Sequence, residues 1–233
     1  MIRISVIIPT LNEENHISTI LTFFQTTASS FTEVLVADGG STDATRDKVN
    51  SFENVQLISC TKKGRAFQMN EAASKARGEL LYFVHADVVP TESWEEDIWS
   101  AYKAHKLIGG FRFKFNSDRP LLRFNSYMTR LNILSFRGGD QTLYISKNFF
   151  DSLNGYQEWE IMEEYDLIKR ARKEGVKFNL IQKHVIVSAR KYENNSYFKI
   201  NLANGLAMLK FRMGVDHRKI RESYFKMINH PKC

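Results

Sequence analysis

The chain has 233 residues, 43% of them hydrophobic, and sets 33 Lys and Arg against 26 Asp and Glu for a formal net charge of +7. That composition can bury the core of one large α/β domain with a helical extension, and it excludes a low-complexity or disordered chain. No apolar run reaches the ~18 residues that span a bilayer. No zinc-finger spacing, RNP-like segment or heptad repeat points to nucleic acid, and Cys60 and Cys233 make neither a disulfide framework nor a metal set.

Residues 4–9 are β-branched and apolar, which predicts a buried strand stopped by Pro9. No signal-peptide pattern precedes it, so a reducing cytoplasm is the expected compartment. Thr10-Leu11-Asn12-Glu13 has the form of a capping box and predicts a helix from there to residue 28. Residues 33–38 make the second predicted strand, closing on Asp38. Gly39-Gly40-Ser41-Thr42-Asp43 is a turn leading into a helix over 44–51, followed by a short strand at 55–58. Lys62-Lys63-Gly64-Arg65 precedes a helix with Ala66, Met69, Ala73 and Ala76 at helical spacing, ended by Gly78. Leu80-Leu81-Tyr82-Phe83-Val84 is apolar on both faces, as a central parallel strand is, and ends in His85-Ala86-Asp87.

This β-α-β-α-β-α-β order predicts a parallel sheet with right-handed crossovers. Ligands of such sheets bind outside the carboxyl ends of the strands, where His85 and Asp87 would project. An acid there could hold a hard cation, and the cation a phosphate. No G-x-G-x-x-G follows the first strand, which disfavours a dinucleotide-binding Rossmann domain.

Beyond Pro90 a helix is expected over 91–104, an alternating strand at 109–115 and a helix at 120–134. A polar turn at 137–141 and a strand at 142–145 follow, then a charged helix over 163–174 stopped by Gly175. Strands at 177–180 and 184–188 lead to tail helices over 196–213 and 218–228. The expected division is one domain, 1–192, and a helical extension, 193–233. In the extension Tyr197, Phe198, Leu202 and Leu209 interleave with Lys199, Lys210 and Arg212. That pattern suits an interfacial helix reaching a lipid-linked acceptor at the inner membrane face. Packing on the domain, or on a second copy in a homodimer, carries more weight.

Three stretches, Val6-Ile7-Ile8-Pro9-Thr10-Leu11-Asn12-Glu13, Val36-Ala37-Asp38-Gly39-Gly40-Ser41-Thr42-Asp43 and His85-Ala86-Asp87, in that order and spacing resemble the family 2 glycosyltransferases. Gly64-Arg65-Ala66-Phe67-Gln68-Met69-Asn70 with Gly139-Asp140-Gln141 is similar to a subgroup of small stand-alone, bacterial-type members. The resemblance implies a GT-A (nucleotide-diphospho-sugar transferase) fold, α/β with a mostly parallel central sheet flanked by helices. It also implies an inverting transferase acting on a nucleoside-diphosphate sugar, UDP-linked, with an unnamed small-molecule or lipid-linked hydroxyl as acceptor.

By the same resemblance Asp38 grips the base, and Pro9, Thr10, Asn12, Glu13, Gly39, Ser41 and Asp43 line the nucleotide-sugar site. Gly64, Arg65, Asn70, His85, Ala86, Asp87 and Arg190 belong to it as well. Asp87 matches the last acid of a D-x-D motif, which holds Mn²⁺ or Mg²⁺. His85 departs from that motif, and imidazole is a poorer ligand for a hard cation than carboxylate. One carboxylate can suffice when water and phosphate complete the octahedron, and Arg65 and Arg190 could share the charge. Glu164 stands where the family has its general base, with Glu163 and Asp140 next in line. Gly139, Gln141 and Trp159 would line the acceptor side, with Tyr156 beside them.

Each assignment has a structural rival: a capping box for Thr10 and Glu13, a turn for Asp38, helix-dipole complementation for Glu163 and Glu164. The alternative for the whole chain is a nucleotide-binding or scaffold protein without turnover. A nucleotidylyltransferase would need a Gly-rich, Arg-containing first loop, which Thr10-Leu11-Asn12-Glu13 is not.

Overall fold

Ile4–Thr10 (β1) is buried along its whole length and pairs in parallel with Thr32–Asp38 (β2) on one side and Leu80–Phe83 (β4) on the other. Val55–Ser59 (β3) adds a further parallel strand outside β2. The computed structural model describes residues 2–130 and 142–228. Continuous apolar strands are required here because helices cover both faces. Ile4, Val6 and Ile8 face Ile17, Ile20, Leu21 and Phe24 of Ile17–Thr27 (α1), in a cluster that Val49 of Thr45–Asn50 (α2) joins. Ile7, Leu35 and Ala37 face the opposite way, against Ala66, Met69, Ala72 and Ala73 of Arg65–Lys75 (α3).

The sheet continues through Val88–Val89 (β5), Ile108–Phe115 (β6), Leu143–Ser146 (β7) and Asn179–Val187 (β8), in the order β3-β2-β1-β4-β7-β6-β8-β5. The β6–β8 pairing is parallel, while β4–β7, β6–β7 and β5–β8 are antiparallel. In a flat sheet four inter-strand steps, ~19 Å, would separate β4 from β5. The link from Phe83 to Val88 reaches at most ~17 Å when extended. It is not extended, because the Val88 N–H donates to His85 O at 3.1 Å. The sheet must therefore curl, and the curl carries His85-Ala86-Asp87 across the carboxyl ends of its central strands.

Trp94–Lys103 (α4), Pro120–Met128 (α5), Lys147–Ser152 (α6) and Glu163–Lys173 (α7) complete the framework, with Tyr197–Arg212 (α8) and His217–Met227 (α9) at the end. Ile200, Ala203, Phe211, Ile220 and Tyr224 of the last two helices are buried in the same cluster as Val6 and Tyr82. The tail thus packs on the sheet domain.

Three sequence expectations change. The first helix begins at Ile17, with His16 as N-cap and no side-chain cap. Thr10 ends β1 instead, and Asn12 has φ of +53°, which no helix admits. The strands expected at 177–180 and 184–188 are one strand, whose register shifts opposite Phe111/Arg112. The helix expected over 120–134 ends at Met128, and the last four positions of that expectation lie outside the described residues. Strand β5 and helix α6, two and six residues long, were too short to leave a periodic signal.

Candidate active site

Strand register brings the first two loops together. Thr10 pairs with Asp38, and Asp38 with Ser59, so β1, β2 and β3 end along one rim. Asp38 is buried, and its carboxylate accepts from the Gly40 N–H at 3.0 Å, the Ser41 N–H at 3.1 Å and the Ser41 hydroxyl. Arg46 Nε lies 3.9 Å away. Across the gap the Asn12 N–H donates to Ser41 Oγ (2.9 Å) and the Thr42 N–H to Asn12 Oδ1 (2.9 Å). The Glu13 N–H donates to Thr45 Oγ1 (2.8 Å), and Asp43 accepts from the Glu14 N–H (3.1 Å) and from Thr45. Burial alone would raise the Asp43 carboxyl, but these hydrogen bonds hold it below the usual range. Asp43 is therefore a loop staple.

Beneath the rim the buried Gln68 amide donates to Thr10 O and Ala37 O, both at 2.7 Å. Gly39 sits over it, where a Cβ would lie 3.0 Å from Gln68 Cδ. Gln68 is a functional residue that the sequence does not single out; it lies one turn before Ala72, off the Ala66/Met69/Ala73 stripe, so the apolar periodicity of α3 carries no signal for it.

The acids of the first and fourth strand ends are joined by one arginine. Arg190, in a 3₁₀ turn Arg190–Tyr192 after β8, donates from Nη1 to Glu13 Oε2 (3.1 Å) and from Nη2 to Glu13 Oε1 (3.2 Å). The same Nη2 lies 2.9 Å from Asp87 Oδ2. Glu13 thus pairs with a distant arginine instead of closing a capping box at the start of a helix. His16, missed in the sequence, stands close enough that, after burial, the Arg190 charge lowers its imidazole below the ordinary value, with Asp87 opposing.

The other wall comes from α7. Met162 precedes it with φ of +69°, a strained conformation for a non-glycine, and this turns Glu163 and Glu164 inward at the helix start. Both carboxylates are buried. Arg65 Nη2, from the N-terminal turn of α3, lies 3.0 Å from Glu163 Oε1. Gly64, with φ of +128°, makes the turn that delivers it. Glu164 Oε1 is 3.6 Å from His85 Nε2. Burial raises the Glu164 carboxyl above the usual range, with Glu163 adding to the rise while His85 and Arg65 oppose it. Burial would lower His85, but Glu164 and Asp87 outweigh it and hold the imidazole above its ordinary value.

Tyr156 closes this wall. Its hydroxyl is buried without an aligned hydrogen bond, and the buried Glu163 carboxylate is met by Arg65 as an ion pair. Burial, then Glu164 and Glu163, push the Tyr156 phenol well up. The Tyr156 ring packs edge-on to Phe83 and Phe150, so it is core rather than a sugar platform. Its backbone is held by Asn70, which donates to Tyr156 O (2.8 Å) and accepts from Tyr156 N (2.9 Å). Asn70 thereby clamps the Tyr156 backbone. Arg170 adds bonds to Leu153 O (2.5 Å) and Gly155 O (2.8 Å). Trp159 stacks on His217 and meets Phe211 edge-on, so one ring face is covered by the tail. Gly139, Asp140 and Gln141 lie outside the described residues.

Among the described residues no group of three or more His, Cys, Asp or Glu could enclose a metal ion. Asp87 is the carboxylate at the D-x-D position, and His85 faces Glu164 instead. The donor set fits a cation only as one shared with a bound diphosphate, Asp87 supplying the protein ligand.

A sequence model described as Glycosyl transferase family 2 matches residues 5–164, which includes both loops, His85 to Asp87 and Glu164. The chain belongs to that family. Among curated family relatives, a dolichyl N-acetyl-α-D-glucosaminyl phosphate 3-β-D-2,3-diacetamido-2,3-dideoxy-β-D-glucuronosyltransferase of Methanococcus voltae is 27% identical over 183 residues, covering 71% of this chain and 56% of its own. Glycosyltransferase AglE of Haloferax volcanii is 34% identical over 100 residues, covering 40% of this chain and 33% of its own. The chain therefore spans about half the length of the first relative and a third of the second.

Among solved structures, S. aureus TarS in complex with UDP-GlcNAc superposes with a TM-score of 0.67 at 16% identity, over 95% of this chain and 69% of that one. Mannosyltransferase PcManGT of Pyrobaculum calidifontis, in complex with GDP-Man and Mn²⁺, gives 0.66 at 20% identity, over 88% and 62%. The glucosyl-3-phosphoglycerate synthase of Mycobacterium tuberculosis, in complex with Mn²⁺, UDP and glucosyl-3-phosphoglycerate, gives 0.64 at 16% identity, over 91% and 80%. At these identities the likeness establishes the fold, which is GT-A.

Proposed function

We propose that this chain transfers a sugar from a nucleoside-diphosphate sugar, UDP-linked, to an acceptor hydroxyl with inversion at the anomeric carbon. The observation that carries the reading is the wall opposite the nucleotide loops, where buried Glu164 faces His85 at 3.6 Å. A carboxylate whose proton affinity is raised by burial is suited to take a proton from an alcohol. An inverting reaction asks for one such base and for charge relief on the departing diphosphate. The relative that acts on a dolichyl-linked phosphate sugar and the neighbour bound to UDP-GlcNAc support the donor and acceptor classes.

In this scheme the Asp38 carboxylate and the laced loops hold base and ribose. Arg190 and Arg65 face the diphosphate, each already close to an acid that fixes its guanidinium. Held by Asp87, Mn²⁺ or Mg²⁺ would supply Lewis-acid neutralisation of the leaving diphosphate. Glu164 takes the acceptor proton, while Arg65 neutralises the neighbouring Glu163 carboxylate. Residues 1–192 carry this chemistry, and α8 and α9 of the 193–233 extension pack on them.

The test is transfer and hydrolysis of a panel of UDP-sugars, with the product anomer read by NMR. Glu164→Gln should abolish turnover while UDP still raises the melting temperature. UDP binding without turnover of any donor by the parent chain would support a nucleotide-binding scaffold instead. Unchanged turnover in Glu164→Gln would remove the base.

A further inference from the structure

Helix α8 is apolar on two opposite sides, and among the described residues only one of them is covered. Ile200, Ala203, Ala207 and Phe211 are buried against the domain. On the other side Phe198, Leu202, Leu206, Leu209 and Met213 recur every three or four residues and are exposed, Phe198 by 74% and Met213 by 71%. Helix α5 lies alongside, tied by Asn125 Nδ2 to Asn201 Oδ1 (3.2 Å) and by the Tyr197 hydroxyl to Asn125 Oδ1 (2.7 Å). It adds exposed Leu121, Phe124 and Tyr127. Among the described residues, eight of the ten exposed large hydrophobics sit on these two helices and the α8 C-cap. A helix apolar all round is normally buried all round, and a contiguous exposed apolar face marks a partner.

The charges beside the stripe say which partner. Helical spacing at 100° per residue puts Lys199 and Lys210 on one flank of it and Arg212 on the other. Arg123 and Arg130 are exposed on and just after α5, with Arg130 over the Tyr127 ring at 4.7 Å. Neither Pro120–Met128 nor Tyr197–Arg212 contains an acid. A second copy meeting this face by two-fold symmetry would set the same cations against themselves. An acidic lipid surface meets both features, apolar side chains entering the acyl boundary and basic flanks contacting the headgroups. No helix among the described residues is long and apolar enough to cross a membrane, so the contact lies in the interface plane.

We infer that the α5–α8 face is a docking surface for an anionic lipid bilayer. The same face is joined to the site: Arg119 Nη1 donates to Tyr192 O (3.1 Å), and Tyr192 stacks on Tyr197, in the turn that presents Arg190. Docking there holds the active-site side of the chain beside a lipid surface.

Flotation of the full chain with vesicles of phosphatidylcholine alone, and with about one-third phosphatidylglycerol, tests this. The chain should float with the anionic vesicles and be released by high salt. Lys199→Glu/Lys210→Glu/Arg212→Glu should lower the partition about tenfold or more, and Leu202→Lys/Leu209→Lys should do so despite its added charge. Lys103→Glu, on α4, should leave it unchanged. Circular dichroism and melting temperature check that each variant is folded, and the unaltered chain is scored by itself in any case. If it stays at the bottom with anionic vesicles, the inference is overturned. A salt-stable dimer in sedimentation velocity that Leu202→Lys/Leu209→Lys dissolves would overturn it too, by giving the face to a second copy.

Discussion

Arg190 and Glu13, 177 positions apart in the chain, form a two-point ion pair at 3.1 and 3.2 Å with the carboxylate almost wholly buried. The pair ties the turn after β8 to the loop after β1, and through Asp87 to the loop after β4. Removing the guanidinium from so buried a carboxylate should cost about 3 kcal/mol of stability, because the acid loses this compensating charge. Arg190→Gln should show this in urea unfolding. Arg190→Gln/Glu13→Gln should recover part of the loss, and strict additivity would mean the two do not couple.

His85 and Glu164 both hold a proton more tightly folded than unfolded, so their joint effect is a stability that falls as pH rises. The His85 contribution is whole below its unfolded value of about 6.5 and is lost through its higher folded value. The Glu164 penalty begins above the ordinary value of about 4.3 and grows until pH passes its raised one. His16 and His184 are lowered and act in the opposite sense, so a difference must be read. The melting temperature of Glu164→Gln minus that of the parent should increase from about pH 5 to about pH 8. A flat or falling difference would contradict the raised values. Activity should likewise climb as Glu164 loses its proton.

Asn70 separates binding from chemistry. Its two bonds to the Tyr156 backbone hold the wall beside Glu163 and Glu164. Asn70→Ala should cost about 2 kcal/mol and lower kcat, while the affinity for UDP changes little. A large loss of UDP affinity with unchanged kcat would return Asn70 to the nucleotide pocket.

Gly39→Ala places a methyl 3.0–3.1 Å from the Gln68 amide. Gln68 is buried and already bonded to Thr10 O and Ala37 O, so it has little room to yield. A cost of about 1–2 kcal/mol is expected, with weaker UDP binding because both loop ends shift. Thermal melting with and without UDP measures the two effects, and an unchanged melting temperature would show that the amide moves freely.

Asp87 and Arg190 should divide the diphosphate charge. In Asp87→Asn the increment that Mn²⁺ adds to UDP-induced stabilisation should disappear, while the increment seen with a chelator persists. In Arg190→Gln the chelator-resistant increment should shrink. A Mn²⁺ increment that survives Asp87→Asn would exclude Asp87 as the ligand.

Particular residues show how far the sequence was legible. Apolar runs of β-branched residues placed β1 and β2 within a residue of their ends, since a strand covered on both faces permits little else. Thr10 and Glu13 misled because a capping box is a local rule, and here Arg190, far along the chain, claims the carboxylate. The bulged β8 read as two strands because Gln182 and Lys183 interrupt the apolar pattern that defines one. Tyr156 and Trp159 offered aromatic surface, and only packing showed that the core had taken the first and the tail one face of the second.

What the sequence by itself determined was the alternation of strands and helices and the acids at strand ends, because periodicity and turn chemistry act over a few residues. Tertiary structure alone decided which charges meet: Arg190 with Glu13 and Asp87, Arg65 with Glu163, His85 with Glu164. The physical reason is that the sheet curls, and a curl is a property of all eight strands together. It draws loops from both ends of the chain onto one rim, where burial raises the Glu164 carboxyl and Glu164 in turn raises the His85 imidazole.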